Sequence, residues 1–215
     1  MVSATNKRLI EMYDRLLNHF GQQEWWPAQT KFEVIIGAVL TQNTNWKNVE
    51  RAIENLRRDK LLSLSELQAI SQPELAERIR PAGYYNIKAK RLKNLIKFIY
   101  ESYVGDLENL LNDETSNIRE GLLSVKGIGP ETADSILLYA AERPAFVIDA
   151  YTHRILARHQ MCDETTDYYA LQELFTSHLP EETKLFNEFH ALIVRTGKEF
   201  CKKKPLCEKC PLNGW

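Results

Sequence analysis

Residues 122–154 read LLSVKGIGPETADSILLYAAERPAFVIDAYTHR, and the rest of the chain is organised around them. Leu122 and Val125 form an apolar side at helical spacing, and Ala133, Ile136, Leu137 and Ala140 repeat it in a second helix. Between the two, Gly127-Ile128-Gly129 turns the chain sharply. Neither glycine carries a Cβ, so the backbone can also come close to a partner there. Pro130 opens the second helix where a missing N–H costs nothing, and Glu131 suits the positive end of its dipole. The N–H groups of Gly127, Gly129 and the first turn, through Glu131 and Thr132, would point outward. A phosphate oxygen is the acceptor that fits such a cradle. The form is a helix-hairpin-helix, which holds DNA by its backbone and carries no sequence preference. An ordinary helical hairpin with glycine in its turn has the same pattern, so the hairpin alone does not decide the function.

The segment C-terminal to the hairpin narrows the alternatives. In Val147-Ile148-Asp149-Ala150-Tyr151-Thr152-His153-Arg154 the chain resembles the helix-hairpin-helix/Gly-Pro-Asp superfamily of DNA base-excision glycosylases, the endonuclease III group. In that family the hairpin leads through a loop to a catalytic aspartate in a V-D-T-H-x-x-R run, and Asp149 falls at the aspartate position. The resemblance spans nearly the whole chain, from Trp25 to Cys210. It implies a two-lobed fold in which a six-helix bundle, residues 29–141, carries the hairpin. Residues 1–28 and 142–215 would build the second lobe, and DNA would enter a cleft between the two.

Composition agrees without deciding. A chain of 215 residues can bury a core as one domain or two small lobes. The longest apolar runs are too short to span a bilayer, and no basic-then-apolar leader opens the sequence. A soluble, cytoplasmic monomer without membrane contact is therefore expected. The net charge of −1 is low for a nucleic-acid binder, but distribution matters more than total. Lys88, Lys90, Arg91, Lys93 and Lys97 form a run without acids. Arg195, Lys198, Lys202, Lys203, Lys204 and Lys209 enrich the C-terminal segment, while Asp106, Glu108, Asp113 and Glu114 gather elsewhere.

Taken in order, the chain reads as helix after helix. Leu9, Met12, Leu16, Leu17 and Phe20 form a stripe that stops at Gly21. Phe32, Ile35, Ile36, Val39 and Leu40 mark a central helix, and Val49, Ile53 and Leu56 continue the pattern. After Pro81 and Gly83, Leu92, Leu95, Ile96 and Ile99 predict a helix with its basic face outward. Leu185, Phe186, Phe189, Leu192 and Ile193 predict the last long one. With no convincing strand pair and no internal repeat, the fold class is all-α.

A second stretch, Glu24-Trp25-Trp26-Pro27, puts two adjacent indoles before a proline. On its own it reads equally as a staple fixing a helix start to the core. With Thr41-Gln42-Asn43-Thr44-Asn45-Trp46 beside it, the resemblance narrows to the 3-methyladenine DNA glycosylase III branch. That branch lines its base pocket with a Trp-Trp-Pro segment and an aromatic after an L-T-Q-N-T run. This implies a pocket of Trp25, Trp26, Pro27 and Trp46, with Trp in place of the branch's usual Phe at position 46. Gln42 matches the polar residue that the wider family inserts into the duplex where the base has left; a core glutamine or a helix cap is the structural alternative.

The chemistry explains an aromatic pocket. A purine methylated at N3 or N7 is cationic, and stacking on indole is worth about 0.5–2 kcal/mol of cation–π energy. Its charge makes it a good leaving group, so no general acid is required. The sugar becomes oxocarbenium-like, and one carboxylate beneath C1′ stabilises it and orients or deprotonates water. Asp149 is the candidate, acting on a base already flipped from the stack. Lyase members of the family carry a lysine two residues after the second hairpin glycine. Glu131 stands there and cannot form an imine. A monofunctional glycosylase acting on double-stranded DNA with alkylated purines, leaving an abasic site, is the resulting expectation. A glycosylase for oxidised or mismatched pyrimidines and a non-catalytic hairpin module are the rivals.

Of four cysteines, Cys162 stands alone and reads as a small buried residue. Cys201, Cys207 and Cys210 lie in CKKKPLCEKCPL, among lysines, which suggests a metal site before a disulfide. The segment resembles the C-x6-C-x2-C-x5-C loop that holds a [4Fe–4S] cluster in endonuclease III. Its first gap is one residue short and the loop's own fourth cysteine is not among these residues. A [4Fe–4S] cluster completed by another ligand is the favoured expectation. Zinc, a fourth cysteine just beyond Trp215, or a loop that has lost its iron are the alternatives.

Overall fold

The computed structural model describes residues 3–23 and 25–215, so Glu24, at the head of the tryptophan pair, lies outside the described residues. Every regular element among them is helical, as the sequence predicts. The α-helices are α1 (Ala4–Phe20), α2 (Lys31–Leu40), α3 (Trp46–Arg58), α4 (Leu64–Ala69), α5 (Gln72–Arg78), α6 (Tyr85–Tyr103), α7 (Leu107–Asn112), α8 (Thr115–Ser124), α9 (Pro130–Tyr139), α10 (Ala150–Arg158), α11 (Tyr168–Thr176) and α12 (Thr183–Glu199). None of them is long and apolar enough to cross a membrane.

The chain divides into two compact units, residues 28–143 and residues 1–27 with 144–215. The first contains α2 to α9, two helices more than the expected six. Helices α4, α5 and α7 are 6, 7 and 6 residues long. Elements of that length complete too few turns to show a helical period in sequence. At the centre of this unit, α2 is buried at every position from Phe32 to Leu40, as a helix that is apolar all round must be. Its one charge in that span, Glu33, is satisfied on both oxygens: Arg57 donates to one at 2.9 Å and the Gln29 N–H to the other at 2.8 Å. Helix α9 is buried from Thr132 to Tyr139. Its wholly buried Asp134 accepts two hydrogen bonds from Arg119, at 2.7 and 3.1 Å. A buried carboxylate is tolerated only when paired in this way, and the pair ties the two helices of the hairpin together.

Helix α6 departs from the expected outward basic face. Lys88 is buried, and its ammonium donates to the carbonyls of Leu40 and Ala82 at 2.8 and 2.7 Å. Burial, with Arg91 nearby adding to it, pulls its pKa down to about 8. Lys93 donates to the carbonyls of Leu67, Gln68 and Ile70 around the end of α4. Both lysines satisfy carbonyls that helix ends leave without partners. They are therefore part of the scaffold, and the charge run overstates the basic surface.

In the second unit, α1 buries Leu9, Met12 and Leu16 and ends at Gly21, where φ is +70°. Phe146 stacks on Phe175 with ring centroids 3.8 Å apart, and Phe186 and Phe189 of α12 meet it edge-on. Gly197 lets Tyr151 of α10 lie directly on α12; a Cβ there would be 2.3 Å from the ring. Cys162 is half-buried rather than sealed in the interior.

Candidate active site and hairpin

The hairpin is built as its glycines require. The Ile128 N–H donates to the Val125 carbonyl at 3.0 Å and closes a four-residue turn. Gly127, third in that turn, has φ +102°, a region that side-chain-bearing residues avoid. A Cβ there would also lie 2.4 Å from Cγ of Arg91. Gly129 caps α9 with an ordinary φ of −101°, and a Cβ there would meet nothing within 4 Å. The N–H groups of Gly127 and Gly129 carry no hydrogen bond among the described residues. An oxyanion approaching this open side would meet unpaired donors at the positive end of α9. Glu131 is exposed on the first turn.

Two of the anticipated contact residues are engaged inside this unit. The carboxamide of Gln42 accepts from Arg91 and donates to the Gly127 carbonyl at 3.2 Å and to the Thr132 hydroxyl at 2.9 Å. Thr132 is itself buried, so its side chain braces the hairpin from within. Asn94 adds a bond to the Lys126 carbonyl at 2.9 Å. Trp46 begins α3 half-buried, its indole N–H donating to Glu50 at 2.7 Å.

In the other unit Asp149 caps α10. One carboxylate oxygen accepts from the Thr152 N–H at 2.7 Å and from the Thr152 hydroxyl at 2.9 Å. The other lies 3.8 Å from Nε2 of His190. The side chain keeps 12 % of its surface exposed, enough for one edge to meet a ligand. His190 is buried, and burial lowers its pKa; Asp149 opposes the shift and Lys198 adds to it. The imidazole is thus neutral at neutral pH. The ammonium of Lys198 in turn stands 5.3 Å from the ring centroid of Trp25. Trp25 and Trp26 are both half-buried, with centroids 5.7 Å apart, and Pro27 is exposed. The catalytic candidate and the paired indoles therefore belong to one unit, with His190 beside the first and Lys198 beside the second.

Cys201, Cys207 and Cys210 are free thiols lining a cavity of about 170 Å³ with Arg158 and His159. Arg154 donates to the Cys201 carbonyl at 2.7 Å, and Arg158 to the Cys201 sulfur at 3.2 Å and the Lys202 carbonyl at 2.7 Å, so α10 holds the loop. The fit to a metal group is incomplete. Three sulfurs face one cavity, yet among the described residues no group of three or more His, Cys, Asp or Glu is arranged to hold a metal ion. A single zinc ion has no ready ligand set there.

As members of the site, sequence reasoning passed over Arg91, His190 and Lys198. A histidine inside the apolar stripe of α12 was an available signal. Arg91 and Lys198 showed only as members of basic runs, because their partners are distant in sequence.

The helix-hairpin-helix/Gly-Pro-Asp family model, HhH-GPD superfamily base excision DNA repair protein, matches residues 36–181. The DNA repair glycosylase candidate MJ1434 of Methanocaldococcus jannaschii is 49% identical over 206 residues, covering 95% of this chain and 94% of that protein. Endonuclease III of Thermotoga maritima is 30% identical over 183 residues, 85% of this chain and 80% of the relative. Among solved structures, the H. pylori 3-methyladenine DNA glycosylase MagIII bound to 1,N6-ethenoadenine is 33% identical. It superposes with a TM-score of 0.78 over 91% of this chain and 97% of its own. Hairpin, capped aspartate and relatives agree: the chain belongs to the HhH-GPD superfamily of base excision DNA repair proteins, the DNA glycosylases of the endonuclease III family.

Proposed function

We propose that this glycosylase hydrolyses the N-glycosidic bond of cationic, alkylated purines in double-stranded DNA and leaves an abasic site without cutting the strand. The observation that carries the reading is that Asp149 and the paired indoles belong to one unit, with His190 beside the carboxylate and Lys198 over Trp25. An electron-poor base would draw on the quadrupole of the half-buried Trp25 and Trp26 rings. Asp149, beside a neutral imidazole, would stabilise the developing oxocarbenium ion electrostatically and orient water toward it. The likeness to MagIII supports the same substrate class. Glu131 at the lyase position supports hydrolysis alone, since a carboxylate cannot form an imine.

Incubation with methylated duplex, then chromatography, should release free 3-methyladenine. The strand should stay intact until alkali cleaves the abasic site. The endonuclease III and thymine-DNA glycosylase relatives keep a second reading in view. Release only from oxidised-pyrimidine or mismatched-thymine oligonucleotides would establish that reading instead.

The cysteine loop we read as a cluster-binding loop short of one ligand. Protein purified without oxygen should be brown and contain iron; colourless, iron-free protein with the loop intact would make it a purely structural element.

A further inference from the structure

The tryptophan pair follows a short segment that has no helix of its own, and side chains of α12 hold that segment. The Gly21 N–H donates to the Leu17 carbonyl at 2.8 Å and ends α1, and its φ of +70° turns the chain out of the helix. Gln23 comes next but one, half-buried, with its side-chain amide fully engaged. The amide nitrogen donates to the Gly21 carbonyl at 2.7 Å and to the Phe20 carbonyl at 3.4 Å, so it also caps α1. The amide oxygen accepts from Arg195 of α12 at 3.1 Å; an arginine can only donate, which fixes the orientation of the amide. The Gln23 backbone N–H donates to the Glu188 carboxylate at 2.8 Å. Glu188 and Arg195 stand about two turns apart on α12 and so share a face. Arg195 is itself held: it donates to Glu199 at 2.8 Å and lies over the Phe20 ring, 4.5 Å from the centroid.

We infer that Glu188 and Arg195 clamp Gln23 and thereby fix where the Trp25–Trp26 pair stands relative to Asp149, which makes them positioning residues for recognition of the base. The inference rests on the proposed glycosylase reading. Helix α12 also carries His190 beside Asp149, so one rigid element holds the carboxylate's neighbour and the anchor of the indoles. Both contacts to Gln23 are charge-assisted and about twice as strong as neutral hydrogen bonds. The attraction between a cation and an indole requires the cation to lie over the ring face. An indole free to swing would keep its apolar area and lose that registry. Glu188 and Arg195 act through Gln23 and need not touch the base.

The test labels the protein with 5-fluorotryptophan, which gives each of the four indoles its own fluorine resonance. Single-turnover release of 3-methyladenine is measured beside affinity for undamaged duplex. Glu188→Ala and Arg195→Met should shift or broaden the Trp25 and Trp26 resonances and leave that of Trp46 in place. Release should slow about fivefold, a factor within what the cation–π contact of one indole supplies. Affinity for undamaged duplex should not change, and the melting temperature should move little, because neither side chain is in the core. Glu188→Gln keeps an oxygen to accept the Gln23 N–H and should restore both readouts. Gln23→Ala should reproduce Arg195→Met, and the two together should be no worse than either alone.

Unmoved resonances would overturn the inference. So would moved resonances with release as fast as in the parent, since the clamp would then fasten the chain and not the pocket. Equal losses of release and of undamaged-duplex affinity in Arg195→Met would make that residue a phosphate contact and overturn its place in the clamp. A wild-type protein that releases no methylated base, with the resonances moving as expected, would fail the substrate reading while leaving the clamp standing.

Discussion

Replacing Asp149 by Asn is expected to slow base release by about 10²–10⁴-fold, the range that one general base or one electrostatic stabiliser supplies. The substitution is nearly isosteric. An asparagine oxygen can still accept the Thr152 N–H and hydroxyl that hold the side chain at 2.7 and 2.9 Å. Asparagine also caps helices about as well as aspartate, so α10 should form and the melting temperature should move little. What disappears is the negative charge beside the sugar as its bond to the base breaks. Single-turnover release measured with affinity for the undamaged duplex separates the two effects. Lost release with retained binding supports a catalytic carboxylate. Equal rates in the two proteins would remove Asp149 from the chemistry, and parallel loss of binding and stability would make it a helix cap only.

The second large effect divides the two hairpin glycines. Gly127→Ala should destabilise the fold by about 2–4 kcal/mol, combining the left-handed strain with contact against Arg91. A loss of that size lowers the melting temperature by several degrees for a chain of this length. Gly129→Ala should leave stability unchanged, because its φ is ordinary and the space in front of it is open. That space is where a phosphate would seat, and a methyl group there should weaken DNA affinity about tenfold, or roughly 1.4 kcal/mol. Thermal melts and duplex titrations on the two variants should therefore give opposite patterns. If Gly129→Ala bound DNA as well as the parent, the hairpin would be a structural turn and not a phosphate grip.

By itself the sequence determined the all-α class, the long helices and the place of the hairpin, while Asp149 came from the resemblance to the family and stands as a proposal. Apolar spacing and glycine placement are local properties, and a few consecutive residues suffice to express them. Trp25 and Trp26, which a local reading assigns equally to a staple on the core, are half-buried. Only the tertiary structure decided which polar side chains are spent on the scaffold. Lys88 and Lys93 read as surface charge but satisfy helix-end carbonyls. Gln42 meets Arg91 across 49 residues and Gly127 across 85, and His190 comes to stand beside Asp149. A hydrogen bond is made by whatever donor the packed helices bring within reach, and no spacing along the chain encodes that.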